Sequence, residues 1–411
     1  MRKSSCRFCS APLQMTFADL GMQPPSNSYV KPDLANQMER FYPLHAFVCE
    51  ACKLVQLEEF ETPDEIFSDY LYFSSYSDSW LQHAKAYAQT MRARFGLGAS
   101  SKVVEIASND GYLLKWFVDM GVPVLGVEPA ANVADVARKA GVPSDVAFFG
   151  EATAKRLHAE GHAADLMAAN NVLAHVPDIN DFVEGFRVLL KPRGVATFEF
   201  PHLLRLIEQN QFDTIYHEHF SYISFLTAER IFAEHDLVLY DVEELPTHGG
   251  SLRLYARHRA NEALAVTDAV VRMRRRETDA GLDNLDVYAK FAAKVVETKC
   301  AVLDFFIRAR REGKRVAGYG APAKGNTLLN YCGAGAEFLA FTVDRSPHKQ
   351  GLLLPGSHIP VLSPQAIFDA KPDYVFILPW NLRDEVMEQM AGVRAWGGKF
   401  VVPIPELRII D

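Results

Sequence analysis

At 411 residues the chain exceeds what one core accommodates, and about 100–200 residues per domain leads us to expect three domains. A hydrophobic share of 49%, a charged share of 23% and a mean hydropathy near zero are those of a globular protein and exclude dominant disorder. A formal charge of −8 argues against a nucleic-acid partner.

The opening MRKSSCRFCS lacks an apolar signal core, and no stretch approaches the ~20 apolar residues of a membrane span, so a cytoplasmic protein with no membrane partner is expected. Four of the six cysteines form two C-x-x-C pairs, Cys6/Cys9 and Cys49/Cys52. Each pair suits a knuckle whose backbone amides support two thiolates, and two knuckles complete a tetrahedron with no open position. The expectation is structural Zn2+, and residues 1–62, built of short extended runs, form the zinc-binding module. The aromatic- and serine-rich stretch that follows, with Tyr70 and Tyr72, reads as a loop laid against another surface.

A helix from Trp80 to Phe95 leads into KVVEIASNDGYLL, and strands and helices then alternate through VPVLGVEPA, DVAFFG, ADLMAANNVLAHV and VATFEFP. This alternation predicts an α/β fold with a parallel, doubly wound sheet within residues 63–258. Glu105, Ala107, Asn109 and Gly111 place an acid and a small-residue loop before a helix N-terminus, where backbone amides approach an adenosyl cofactor. Glu128 follows the second strand at the spacing of a carboxylate that takes both ribose hydroxyls. Phe149 stands where an adenine edge would lie, and Asn170 and Asn171 where a methionyl tail would lie. The loop lacks G-x-G-x-x-G, which disfavours a dinucleotide, so the cofactor expected is S-adenosyl-L-methionine.

A histidine-rich insertion, Tyr216-His217-Glu218-His219-Phe220-Ser221, interrupts the alternation. Its spacing is not the H-E-x-x-H of a catalytic zinc site. Beyond it, residues 259–411 read as a charged helical linker, broken near Gly281, and a second, smaller Rossmann-like α/β domain. There the loop GYGAPAKG sits between strand and helix, where amides and Lys324 suit a diphosphate or merely make a tight turn.

These motifs together, with LGMQPPSNSYV, VEIASNDGYLL, NNVLAHV, YHEHFS, HGGSLR and GYGAPAKGNTLLN, resemble those of the bacterial nucleotide-deoxysugar C-methyltransferases, which act on nucleotide-linked 4-keto-sugars. The resemblance spans the chain. It implies a structural zinc, a class I methyltransferase sheet with S-adenosylmethionine in the middle domain, a nucleotide-sugar substrate held between the middle and C-terminal domains, and Lys324 as a diphosphate contact. It also implies that Tyr216, Glu218 and His219 stand at the reacting sugar.

Methylating carbon requires removal of a proton beside a ketone whose oxygen is stabilised as charge builds. His219 is read as the base, with Glu218 or Tyr216 orienting it or touching the sugar. His175, at the end of the fourth strand, is read as an enolate partner or as the alternative base. Tyr70 and Tyr72 would close the pocket, and His217 and His248 would contact substrate. The expected activity is C-methylation of a nucleotide-linked 4-keto-deoxysugar, with dTDP as the expected nucleotide, through a base-generated enolate. The alternatives are O- or N-methylation of a similar sugar and a non-catalytic zinc-dependent binding protein. The oligomeric state is left open, a monomer included.

Overall fold

The computed structural model describes residues 4–62, 74–76 and 78–411. Two compact units emerge, and they interleave along the chain: Met1–Leu13, Cys49–Leu203 and Phe220–Asn284 make one, and Gln14–Val48, Leu204–His219 and Leu285–Asp411 the other. The functional segments expected at 1–62, 63–258 and 259–411 are thus not the units of compactness. Aromatic packing is one reason: Phe17, on strand Met15–Gln23, stacks on Phe291 of helix Asp286–Arg311, with centroids 4.4 Å apart and planes at 9°.

The first unit is built on seven strands: β1 (Val103–Ile106), β2 (Val124–Val127), β3 (Ser144–Asp145), β4 (Ala164–Asn170), β5 (Leu190–Pro201), β6 (Leu237–Leu245) and β7 (Ser251–His258). Their order is β6-β7-β5-β4-β1-β2-β3. Pairing is parallel from β5 to β3, while β7 runs antiparallel to both β5 and β6. This is the doubly wound sheet expected from the alternation, and its strand order is that of the class I methyltransferase sheet the resemblance implies. The centre of the sheet is apolar on both faces, as crossover helices require: β1 and β2 are buried throughout, and Phe182, Phe186, Phe198 and Phe232 pack in one cluster. The third strand is shorter than DVAFFG suggested. It follows Pro143, lies at the edge of the sheet and ends at Asp145, with Val146 and Phe148 exposed.

Helix Phe225–Glu234 is capped from within and from afar. Ser224 Oγ accepts from Thr227 N–H at 3.0 Å, while buried Glu277 accepts from Phe225 N–H at 2.6 Å and Leu226 N–H at 2.8 Å. His202 Nε2–H also donates to Glu277, at 2.6 Å, and both side chains are buried. Glu277→Gln keeps one carbonyl acceptor and replaces the other with an amide NH2, a donor that faces donors. We expect it to cost about 1–3 kcal/mol, read as a lower urea midpoint at constant slope.

In the second unit, strands Met15–Gln23 and Tyr42–Val48 pair antiparallel. Six further strands, β8 (Val316–Tyr319), β9 (Thr342–Val343), β10 (Val361–Leu362), β11 (Tyr374–Ile377), β12 (Lys399–Val402) and β13 (Arg408–Ile410), are ordered β10-β9-β8-β11-β12-β13. All pair parallel except β13, giving the second Rossmann-like sheet. The helical linker does break at Gly281, whose φ of +84° ends the turn after helix Asp268–Asp279. No helix among the described residues is long and apolar enough to cross a membrane.

Candidate active site and metal centre

Cys6, Cys9, Cys49 and Cys52 converge, with all four sulfurs within 4.8 Å of one another. The Cys6–Cys52 and Cys9–Cys49 sulfurs are 3.5 Å apart, against the ~3.7 Å edge of a tetrahedron with Zn–S bonds of about 2.3 Å. Both knuckles close alike: Ser10 N–H donates to the Cys6 carbonyl and Lys53 N–H to the Cys49 carbonyl, each at 2.9 Å. Ser10 and Lys53 both take positive φ, at 60° and 66°. Gln56 Nε2–H donates to Cys6 Sγ at 3.2 Å, an outer contact that would orient a metal-bound thiolate. The hydrogen bond with the Cys52 thiol is the main cause that lowers the pKa of Cys6. The donor set therefore fits a structural Zn2+ with four sulfur ligands and no open position.

Apart from Phe149, the residues expected at the cofactor lie at or just beyond the C-terminal ends of β1, β2 and β4, the crevice in which such sheets bind ligands. The loop after β1 is unusually tight, for Ala107, Asn109 and Gly111 all have positive φ. A side chain at Gly111 would meet Val142 Cγ2 at 2.9 Å, so glycine is required by both conformation and space. Buried Glu128 accepts from Asn109 N–H and Ala130 N–H, each at 2.9 Å, which fixes its carboxylate at the end of β2. Burial still pushes Glu128 up, against those two bonds. Glu105 is held well above the carboxylate range, first by burial and then by Glu128 and Asp110, with the Tyr112 hydroxyl opposing.

Several buried acceptors here have no protein partner among the described residues: Ser108 Oγ, Asp110 Oδ1, Asn170 Oδ1 and Asn171 Oδ1. Such acceptors suit the ammonium and hydroxyls of S-adenosylmethionine, so the residues present fit the cofactor. Phe149 turns elsewhere. Its ring lies edge-on to Phe182 and Phe186, at 5.7 and 5.3 Å, half-buried in the core. His175 closes the short turn Leu173–His175 after β4. Tyr70 and Tyr72 lie outside the described residues.

The first unit also holds a charged cluster that the sequence did not announce. Glu199, fully buried near the end of β5, accepts from His83 Nε2–H at 2.9 Å, Arg253 Nη2–H at 3.0 Å and Thr247 Oγ–H at 3.1 Å. Burial pushes Glu199 up, but His83 and Arg253 outweigh it and hold the carboxyl low. Trp80 stacks on His83 at 4.9 Å and meets His248 edge-on at 5.5 Å. His248 has φ 55°, and Gly249 and Gly250 continue at 90° and 115°, a left-handed run beside this cluster that two glycines permit. A lone acid inside the apolar run VATFEFP was the available signal.

Tyr216, His217, Glu218 and His219 of the histidine motif belong to the second unit, while Phe220 and Ser221 belong to the first. His219 Nδ1 is 2.9 Å from the Thr214 carbonyl. A carbonyl only accepts, so Nδ1 carries the proton and the neutral ring keeps its lone pair on Nε2, the tautomer a base acting through Nε2 needs. The Tyr216 ring lies 4.0 Å from that of His219, centroid to centroid. Glu218 accepts from Asn27 Nδ2–H at 2.6 Å, which joins the SNSYV loop to the motif. His217 turns away: its Nε2–H donates to the Pro43 carbonyl at 3.3 Å, its ring meets Tyr42 edge-on at 5.9 Å, and burial lowers its pKa. Lys324, in the first turn of helix Ala323–Cys332, donates to Asn381 Oδ1 at 2.7 Å and sits 4.6 Å above the Trp380 ring. Burial lowers its pKa, with Asp213 opposing.

Comparison with known proteins agrees with this architecture. Residues 6–67 match a zinc binding domain, 80–242 a methyltransferase domain and 246–405 a C-methyltransferase C-terminal domain. C-methyltransferase NovU of Streptomyces niveus is 35% identical over 406 residues, covering 99% of this chain and 96% of its own. A ubiquinone biosynthesis O-methyltransferase of Bartonella tribocorum is 30% identical over 95 residues, covering 23% of this chain and 38% of its own. Among solved structures, the CcbJ methyltransferase of Streptomyces caelestis is 14% identical, covers 43% of this chain and 89% of its own, and has a TM-score of 0.34, too low to carry an argument. Full-length identity to NovU, three domain matches in the order of the motifs and four converged cysteines show that the chain belongs to the C-methyltransferase family that includes NovU, S-adenosylmethionine-dependent enzymes with an amino-terminal zinc module.

Proposed function

We propose that this enzyme methylates a carbon of a nucleotide-linked 4-keto-deoxysugar, with His219 as the base that generates an enolate. The observation that carries the reading is the His219 bond to the Thr214 carbonyl, which leaves the Nε2 lone pair as the proton acceptor. In this reading Nε2 takes the proton from the carbon beside the ketone, and the C–H electron pair moves into the enolate. Bound S-adenosylmethionine supplies an electrophilic methyl group. Tyr216 and Glu218 orient the base or the sugar, and His175 hydrogen-bonds the enolate oxygen or stands as the alternative base. His248 contacts substrate, Lys324 meets the diphosphate, and Tyr70 and Tyr72 close the pocket. Glu105, Ala107, Asn109, Gly111, Glu128, Asn170 and Asn171 are the proposed cofactor contacts.

The test is incubation with methyl-labelled S-adenosylmethionine and a panel of thymidine-diphospho-4-keto-deoxysugars in deuterated solvent. We expect label on a ring carbon by NMR and base-dependent exchange of the neighbouring C–H. Label on oxygen or nitrogen without C–H exchange would replace this reading with heteroatom methylation.

A further inference from the structure

The reading of His219 as the base leaves unexplained what holds the Thr214 carbonyl behind it. That carbonyl belongs to a short turn, Phe212–Thr214, immediately before the histidine motif. Thr214 N–H and Oγ–H both donate to the Gln211 carbonyl, at 3.1 and 2.7 Å, and Ile215 N–H donates to the Phe212 carbonyl at 3.0 Å. These local bonds shape the turn but do not anchor it.

Three long-range contacts do. Phe212, fully buried, meets the Tyr331 ring edge-on at 5.5 Å. Thr327 Oγ–H donates to the Ile215 carbonyl at 3.2 Å. Asp213, with no exposure, accepts from the Trp380 indole N–H at 2.8 Å, and its other oxygen has no partner among the described residues. Trp380 follows β11 and is itself locked, with its backbone N–H on the Leu378 carbonyl at 3.0 Å and the Lys324 ammonium over its ring. A buried acid with one specific side-chain donor is costly to keep, and its position between a rigid strand end and the base's carbonyl gives it a task.

We propose that Asp213 and Trp380 are positioning residues of this enzyme: their hydrogen bond fixes the Phe212–Thr214 turn, and through the Thr214 carbonyl sets the tautomer and aim of the His219 ring. The proposal rests on the reading of His219 as the base. It makes the C-terminal Rossmann-like sheet part of the proton-transfer apparatus in addition to any role in holding nucleotide. Burial raises Asp213 to about 7, so Asp213→Asn replaces it with a neutral side chain that still offers Trp380 a carbonyl acceptor.

The experiment uses the full-length zinc-loaded enzyme labelled with 15N-histidine, and His219→Gln identifies the His219 signals. Wild type, Trp380→Phe, Asp213→Ala and Asp213→Asn are compared by long-range 1H–15N correlation, which distinguishes the two imidazole tautomers, and by kcat and KM for S-adenosylmethionine. We expect a single Nδ1–H tautomer at His219 in wild type and Asp213→Asn. In Trp380→Phe and Asp213→Ala we expect mixed tautomers and a kcat roughly ten- to a hundredfold lower, with KM for S-adenosylmethionine unchanged. Asp213→Ala attacks the same bond from its other side and serves if Trp380→Phe does not fold. An unchanged tautomer with wild-type kcat in either folded variant overturns the proposal. If the tautomer responds but His219→Gln retains turnover, positioning stands and the assignment of the base fails.

Discussion

Cys52→Ser is expected to release the zinc ion and lower the thermal midpoint of the protein by roughly 10 °C or more, since structural zinc contributes folding free energy and about 1 kcal/mol moves a domain of this size by 2–4 °C. Cys52 is buried and supplies one corner of a four-sulfur site in which no other donor stands ready among the described residues. The knuckles do not end at the metal. The Cys52 carbonyl accepts from Thr227 Oγ–H at 3.2 Å, and Ala51 accepts from Arg230 at 3.3 Å, both donors being on helix Phe225–Glu234. Cys6, Cys49, Cys52 and Leu54 also share a hydrophobic cluster with Ile223, Phe225 and Ala228. Loss of the ion therefore loosens the methyltransferase core as well as the module, and chelation of the wild-type enzyme should do the same. Zinc analysis of purified protein with a thermal melt decides the matter: one zinc per chain and an unchanged midpoint in Cys52→Ser would contradict a four-cysteine structural site.

The second large effect is on turnover. His219→Ala should reduce methyl transfer by about 10²–10⁴-fold, the usual contribution of a general base. S-adenosylmethionine affinity should hold, because His219 is not among the proposed cofactor contacts. Alanine removes both the Nε2 acceptor and the Nδ1–H that anchors the ring to Thr214, while the half-buried position leaves space that solvent can fill. The companion variant His175→Ala separates the two histidines. If His175→Ala abolishes solvent exchange of the sugar C–H and His219→Ala does not, the base is His175.

Much of this was legible because its determinants are local. C-x-x-C places two sulfurs on one knuckle by backbone geometry alone, so the metal site could be read from Cys6, Cys9, Cys49 and Cys52. The β1 strand, its small-residue loop and Glu128 at the end of β2 were readable for the same reason: an apolar run, a loop without bulk and an acid at a fixed distance form one β-loop-α unit. The third strand was overestimated because period and apolarity do not reveal a sheet edge, where Val146 and Phe148 remain in solvent.

The sequence by itself determined the alternation that makes two α/β sheets, the cysteine tetrad, the small-residue loop after β1 and the presence of a histidine motif, since each depends on neighbours a few residues apart. Only the tertiary structure decided which partners buried polar groups take. Glu199 finds His83 across 116 residues, and Asp213 finds Trp380 across 167. Those pairings follow from the need to satisfy a hydrogen-bonding group once water has been excluded, and burial is a property of the packed chain. His219 shows the boundary between the two: its identity stood in the sequence, while its tautomer was settled by a carbonyl held in place by the fold.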